Sequence, residues 1–111
     1  MGKETQHDYN EDLDILHVYN SDISSGLKGC LTYGNFNIDI SEDNKVVGVE
    51  LEGASSVLNM PKDKLASLDN AMLMVRKIGN ILFIGFTVIK GEQKSTIQIN
   101  VQSQNKIAVL N

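Results

Sequence analysis

The chain has 111 residues, 41% of them apolar, with a net charge of −4 and a pI near 5.0. That length suits one domain with a real hydrophobic core, and that apolar content argues against disorder. The negative charge excludes a general nucleic-acid-binding surface and disfavours the anionic face of a membrane, while no apolar run approaches the roughly 20 residues of a membrane span.

Residues 1–8 read as a loose polar tail. Met1 to His7 carries no apolar signal-peptide core, and Gln6 stands where a myristoylation signal needs Ser or Thr. Leu13 to Tyr19 reads as the first strand, with Leu13, Ile15, His17 and Tyr19 on one face and Leu16 and Val18 on the other, so both sides are expected to be covered. Asn20 to Gly26 is a polar loop by composition. Leu27 to Tyr33 is a second strand, interrupted by Gly29 and ended by Gly34-Asn35; a bulge into the next strand and a reversal both fit this spacing. Cys30 is the sole cysteine, so no internal disulfide can form and a reduced, cytoplasmic protein is expected.

The clearest hairpin follows. Phe36, Ile38 and Ile40 alternate with Asn37, Asp39 and Ser41, the period of a strand with one buried face. Val46 to Leu51 is rich in β-branched residues, with Val47, Val49 and Leu51 on one face. Glu42-Asp43-Asn44-Lys45 makes the turn, with Asn44 expected at a left-handed position. Two short helices come next, Ala54 to Asn59 and Pro61 to Leu68, the second opened by Pro61 at its first position and docked through Leu65 and Leu68. Met72 to Val75 reads as a strand, Gly79-Asn80 as a two-residue hairpin turn, and Ile81 to Ile89 as the central strand. Gly91-Glu92 turns into Ser95 to Val101, where Ile97, Ile99 and Val101 alternate with Gln98 and Asn100; Lys106 to Leu110 is the last expected strand.

Two fixed offsets suggest internal repetition. Ile38-Asp39-Ile40 and Asn44 to Val47 fall on Ile99-Asn100-Val101 and Asn105 to Ala108, and Asp14 to Val18 falls on Asn80 to Ile84. The expected architecture is α+β and β-rich: a single domain over 1–111 with about seven mostly antiparallel strands, in a sheet or open barrel. It divides into a tail (1–8), a first β-meander (9–53), two short helices (54–68) and a second, pseudo-repeated meander (71–110).

The segments Tyr9 to Val18, Gly34 to Leu51 and the pair Ala54-Ser55 carry a pattern: a Tyr-Asp-type start, an acidic strand and turn, Val47-Gly48-Val49-Glu50-Leu51, and a closing Ala-Ser. Over residues 9–58 this resembles the family catalogued as domain of unknown function 2283. His17 departs from that family's common Tyr, and the turn lacks its frequent Gly. The resemblance implies a small prokaryotic protein with no assigned enzyme activity. Because some members sit beside toxin genes, it also implies a partner-binding, antitoxin-like role. Residues 60–111 lie outside it.

The residues themselves offer little chemistry. Asp8, Asn10, Asp12 and Asp14 alternate as in the first half of an EF-hand loop, but Leu13 stands where Gly makes the turn and Tyr19 where the bidentate Glu belongs. On an extended strand Asp12 and Asp14 would share one face about 7 Å apart, a weak cation site at best. His17 reads as a satisfied half-buried residue and Cys30 as a buried structural thiol, with only Lys28 near it in sequence. Ser24-Ser25-Gly26 and Ser55-Ser56 lack a nucleophile elbow, and Gly26, Gly29 and Gly34 are too widely spaced for a phosphate loop. Met60, Met72 and Met74 are expected in the core, with an adaptable binding patch as the alternative. Arg76-Lys77 is too small a cluster for a nucleic-acid site. No acid/base pair, cofactor motif or metal set can be named. The expected function is a non-enzymatic protein-interaction module, homo-oligomeric or partnered through a sheet edge or an exposed apolar face. The alternative is a weak calcium-type cation binder using Asp8, Asp12 and Asp14.

Overall fold

The alternation of Phe36, Ile38 and Ile40 builds what the sequence anticipates, a strand whose three apolar side chains are buried. In the computed structural model, which describes residues 5–20, 26–43 and 45–102, this strand is β4 (Phe36–Ser41), paired with β5 (Val46–Glu52). A register shift between Asp39 and Ile40 sets Ile40 opposite Val46. The bulge explains why Val46 and Val47 are both buried, although strict alternation would send one of them outward. The Ser41 hydroxyl accepts the backbone N–H groups of Asp43 and Lys45 and so holds the turn. Asn44, the expected left-handed residue, lies outside the described residues.

The remaining elements are β1 (Thr5–Asn10), β2 (Ile15–Asn20), β3 (Leu27–Tyr33), α1 (Ala54–Leu58), α2 (Lys62–Leu65), β6 (Asn70–Ile78), β7 (Ile81–Lys90) and β8 (Gln93–Gln102). The eight strands form two antiparallel sheets, ordered β1-β2-β5-β4-β3 and β6-β7-β8. The expected α+β class and β-rich character hold, and about seven strands becomes eight. The described strands close no barrel. Leu16, Val18, Ile38, Val49 and Leu51 from one sheet and Leu82, Ile84, Phe86 and Val88 from the other belong to one buried cluster. Burying each such side chain contributes about 1.5–3 kcal/mol, which sets the inward face of every central strand.

Several expectations need correction. Residues 5–8 of the supposed tail are the first four residues of β1, because Tyr9 packs on the core and the whole segment pairs with β2. Leu13 is not in a strand: it projects from the β1–β2 turn, and β2 starts at Ile15. At Gly34-Asn35, where the spacing left a bulge and a reversal equally open, the chain reverses with Gly34 at φ +61°, so β3 and β4 are a hairpin. Pro61 sits just before α2 in extended conformation and not at its first helical position.

The repeat does not extend to topology. The offsets lay β2 on β7 and β4 on β8, yet β5 separates β2 from β4 whereas β7 and β8 are neighbours. Region 9–53 is therefore a hairpin joined to a three-strand unit and not a meander. What the two halves share is alternation, which any half-buried antiparallel strand displays. The copy at Asn105 to Ala108 and the expected strand Lys106 to Leu110 lie outside the described residues.

Helix α1 is short because its ends are fixed on both sides. Gly53 (φ 67°) precedes α1 and Asn59 (φ 55°) follows it, both left-handed. Leu58, Met60 and Leu65 point into the core, and Leu68 packs against it.

Candidate functional site

Each sheet has an outer face, and the two differ in charge. On the five-stranded sheet, cross-strand registers run Asp8–His17–Glu50–Asn37–Thr32 and Tyr19–Gly48–Asp39–Cys30. Gly48 leaves a gap in this surface, and His17 Nε2 reaches Asp39 Oδ2 across it at 3.1 Å. The His17 and Tyr19 rings lie 4.6 Å apart, and the Tyr19 hydroxyl donates to Asp8 at 3.4 Å. The hydrogen bond to Asp39 raises the His17 pKa above its ordinary value. Partial burial opposes that rise, and the charges of Asp39, Glu50 and Asp8 add to it.

His17 therefore joins β2 to β4 over β5, and the sign of its pH dependence follows. A histidine whose folded pKa is raised contributes stability that is fully present below about pH 6.5 and lost as pH rises through the folded value. Melting temperature should accordingly fall more steeply above pH 6.5 in the wild type than in His17→Gln, and an NMR titration of the His17 ring should show a midpoint above 6.5. Equal slopes in the two proteins would show that the pair is not coupled to folding.

Cys30 is exposed, which corrects the expected buried thiol, and it stands directly across from Asp39. Desolvation by its surroundings and the carboxylates of Asp39 and Glu50 push its pKa up, the opposite of what a thiol nucleophile needs. His17 and Asp39 thus pair on an open sheet face, with Cys30 across the strand pair from Asp39.

The expected acidic face at Asp8, Asp12 and Asp14 does not form. Asp12 lies in the β1–β2 turn, and Asp14 leaves the strand conformation altogether at φ 56°. Its carboxylate accepts the Tyr9 hydroxyl (2.7 Å), the Ser55 hydroxyl (2.7 Å) and the Ser55 backbone N–H (3.0 Å), while its own carbonyl accepts the Ala54 N–H (3.1 Å). Burial works to raise the Asp14 pKa, but the bonds from Tyr9 and Ser55 and the charge of Lys62 outweigh it and leave the pKa lowered. Burial and the Asp14 bond push the Tyr9 pKa up. Both Asp14 oxygens are thus committed to protein donors, and the three aspartates do not converge. Among the described residues no three His, Cys, Asp or Glu side chains gather in a metal-holding group. Tyr9, Asp14, Ala54 and Ser55, which mark the ends of the sequence pattern, form a structural clasp between the β1–β2 turn and α1.

The outer face of β6–β7–β8 is apolar along β6 and wet along β8. Met72 (40% exposed), Met74 (61%), Ile78 (56%) and Ile81 (39%) all project from it, which corrects the expectation of Met72 and Met74 as core residues. Met60 alone of the three is buried. Met74 lies over Gly85, directly across the strand pair, and Ile78 faces Ile81. The signal was present in β6: Ala71, Leu73 and Val75 alternate with Met72, Met74 and Ile78, so both faces are apolar and only one can meet the core. By register the charged residues on this face are Arg76 and Lys94, with no carboxylate among them. Beside it, Thr5, Gln6 and Asn70 to Met74 border an open groove of about 550 Å³. A second open hollow, of about 660 Å³, lies at Lys64, Asp69 and Lys90.

No helix among the described residues is long and apolar enough to cross a membrane. Comparison with models of known families, with curated proteins and with solved structures returned no match.

Proposed function

We propose that this chain is a non-enzymatic protein-interaction module of the reducing cytoplasm, and that it meets its partner through the outer face of the β6–β7–β8 sheet. The observation that carries this reading is a row of exposed apolar side chains along one sheet face, Met72 beside Met74 and Ile78 against Ile81, with Arg76 between the two pairs. Clustered exposed apolar side chains on a folded domain mark contact surfaces, whereas single ones carry no such meaning. Methionine's flexible, polarisable chain suits a surface that adapts to what it binds. Arg76 between the two apolar pairs and Lys94 on β8 favour a polypeptide with apolar anchors and nearby carboxylates. Two cations are too few for nucleic acid or an anionic lipid surface. The antitoxin-like role implied by the family resemblance would be one instance, with a neutralised toxin as the partner.

The test uses the full chain as bait and compares Met74→Glu with Leu27→Glu, a charge placed at an equally exposed apolar position on β3. A specific partner should lose at least about tenfold in affinity with Met74→Glu, an effect of about 1.4 kcal/mol, and less than about twofold with Leu27→Glu. Binding that ignores Met74→Glu, with NMR shifts mapping elsewhere, would remove this face from consideration.

A further inference from the structure

We infer that the polypeptide which fits this face is a second copy of the same chain, presenting the outer face of its five-stranded sheet. The inference rests on the contact surface named above and adds the identity of what covers it. Strand register places Asp8, Asp39, Glu50 and Glu52 on the outer face of the five-stranded sheet, with no Lys or Arg among the residues paired across it. Lys28 belongs to the bulge of the edge strand β3. Among the described residues paired across that surface, His17 is the one that can carry positive charge, below its raised pKa. On the opposite side of the molecule the three-stranded sheet carries Arg76 and Lys94 and no carboxylate, in a chain with 14 acidic residues. The domain is therefore two-faced, acidic on one side and cationic-apolar on the other. Ile15 and Tyr19 supply apolar surface among the carboxylates, alike in kind to the methionine and isoleucine side chains they would meet.

A contact between two different faces of one molecule is heterologous, so it does not close on itself. It adds copies head to tail. Strand spacing and rise give a three-stranded face of nine residues per strand an area of about 400 Å². Stable interfaces bury about 800 Å² per partner, so this association is weak, reversible and sensitive to salt. Like faces would bring cation to cation or carboxylate to carboxylate, which disfavours the two-fold alternatives.

Sedimentation velocity of the full chain from micromolar to millimolar concentration, at low and high salt, tests this. The average mass should rise continuously with concentration without levelling at a dimer, and added salt should lower it. Arg76→Glu/Lys94→Glu and Glu50→Lys/Glu52→Lys should each be monomeric at every concentration, and an equimolar mixture of the two should recover the association. Circular dichroism and melting of each variant verify that both are folded. A wild type that stays monomeric at low salt and millimolar concentration overturns the inference. So does self-association that persists through both charge reversals. If a foreign partner is still captured in a Met74-dependent way by a strictly monomeric chain, the contact surface stands and its assignment to a second copy falls.

Discussion

Asp14→Ala should lower the stability of the domain by about 3 kcal/mol, the largest loss expected from any surface substitution in this chain. The side chain accepts three hydrogen bonds, from the Tyr9 hydroxyl, the Ser55 hydroxyl and the Ser55 N–H. Hydrogen bonds to a charged group contribute about 1.5–3 kcal/mol each, toward the lower end where water reaches the group, and bonds that share one acceptor are not additive. Alanine at φ 56° adds about 1 kcal/mol of left-handed strain. For a domain of this size the melting temperature should drop by about 12 °C. The order of a short series separates the causes: Asp14→Ala should cost most, Asp14→Gly less because the strain is relieved, and Asp14→Asn least. Asparagine tolerates the backbone and keeps one acceptor oxygen. If alanine and glycine cost the same, the hydrogen bonds matter and the backbone conformation does not.

The same carboxylate predicts an acid limb. Its folded pKa is lowered, so its contribution is fully present above the unfolded value near 4 and is lost as pH falls through the folded value. Asp14→Asn should flatten the loss of stability below pH 4 relative to the wild type.

The clasp shows what could be read from the sequence and what could not. Tyr9, Asp14 and Ala54-Ser55 stood out as a recurrent pattern, but the pattern alone gave no reason to bring positions 14 and 55 together. Their contact spans 41 residues and depends on β2 pairing with β5. Alternation located β4 and β8 because each has one apolar side facing the core, and a nearly continuous apolar run located β7, the middle strand of its sheet. It failed for β1, where Tyr9 is the one apolar residue that packs on the core and the strand is held by its pairing to β2. It also misassigned Met72 and Met74. Hydrophobicity says that a residue prefers burial, and β6 offers two apolar faces to a core that covers only one. The apparent repeat has the same origin. Strand order is fixed by which edges meet, and side-chain period carries no information about that.

Gly48→Val should destabilise the domain by about 2 kcal/mol and at the same time reduce the upward shift of the His17 pKa. A Cβ at this position would lie 2.9 Å from Asp39 Oδ2, 3.0 Å from Tyr19 Cβ and 3.2 Å from His17 Nε2. The two side-chain ends can rotate away, which breaks their 3.1 Å pairing. Tyr19 Cβ is fixed to its backbone, so β2 and β5 must also separate by a few tenths of an ångström. Overpacking of this kind costs about 1–3 kcal/mol, and the greater strand propensity of valine recovers under 1 kcal/mol. Alanine tests the same point with less bulk. Its entropic advantage over glycine, about 0.5–1 kcal/mol, nearly offsets the crowding, so Gly48→Ala should be close to neutral while still disturbing His17. The cause is isolated by a cycle with His17→Ala/Asp39→Ala, which empties the space above Gly48. In that background valine should cost less than 1 kcal/mol, a coupling of more than 1 kcal/mol. Valine that costs the same in both backgrounds would mean that the glycine serves the approach of β2 to β5 alone, and that the bridge from His17 to Asp39 merely occupies a space left for the backbone.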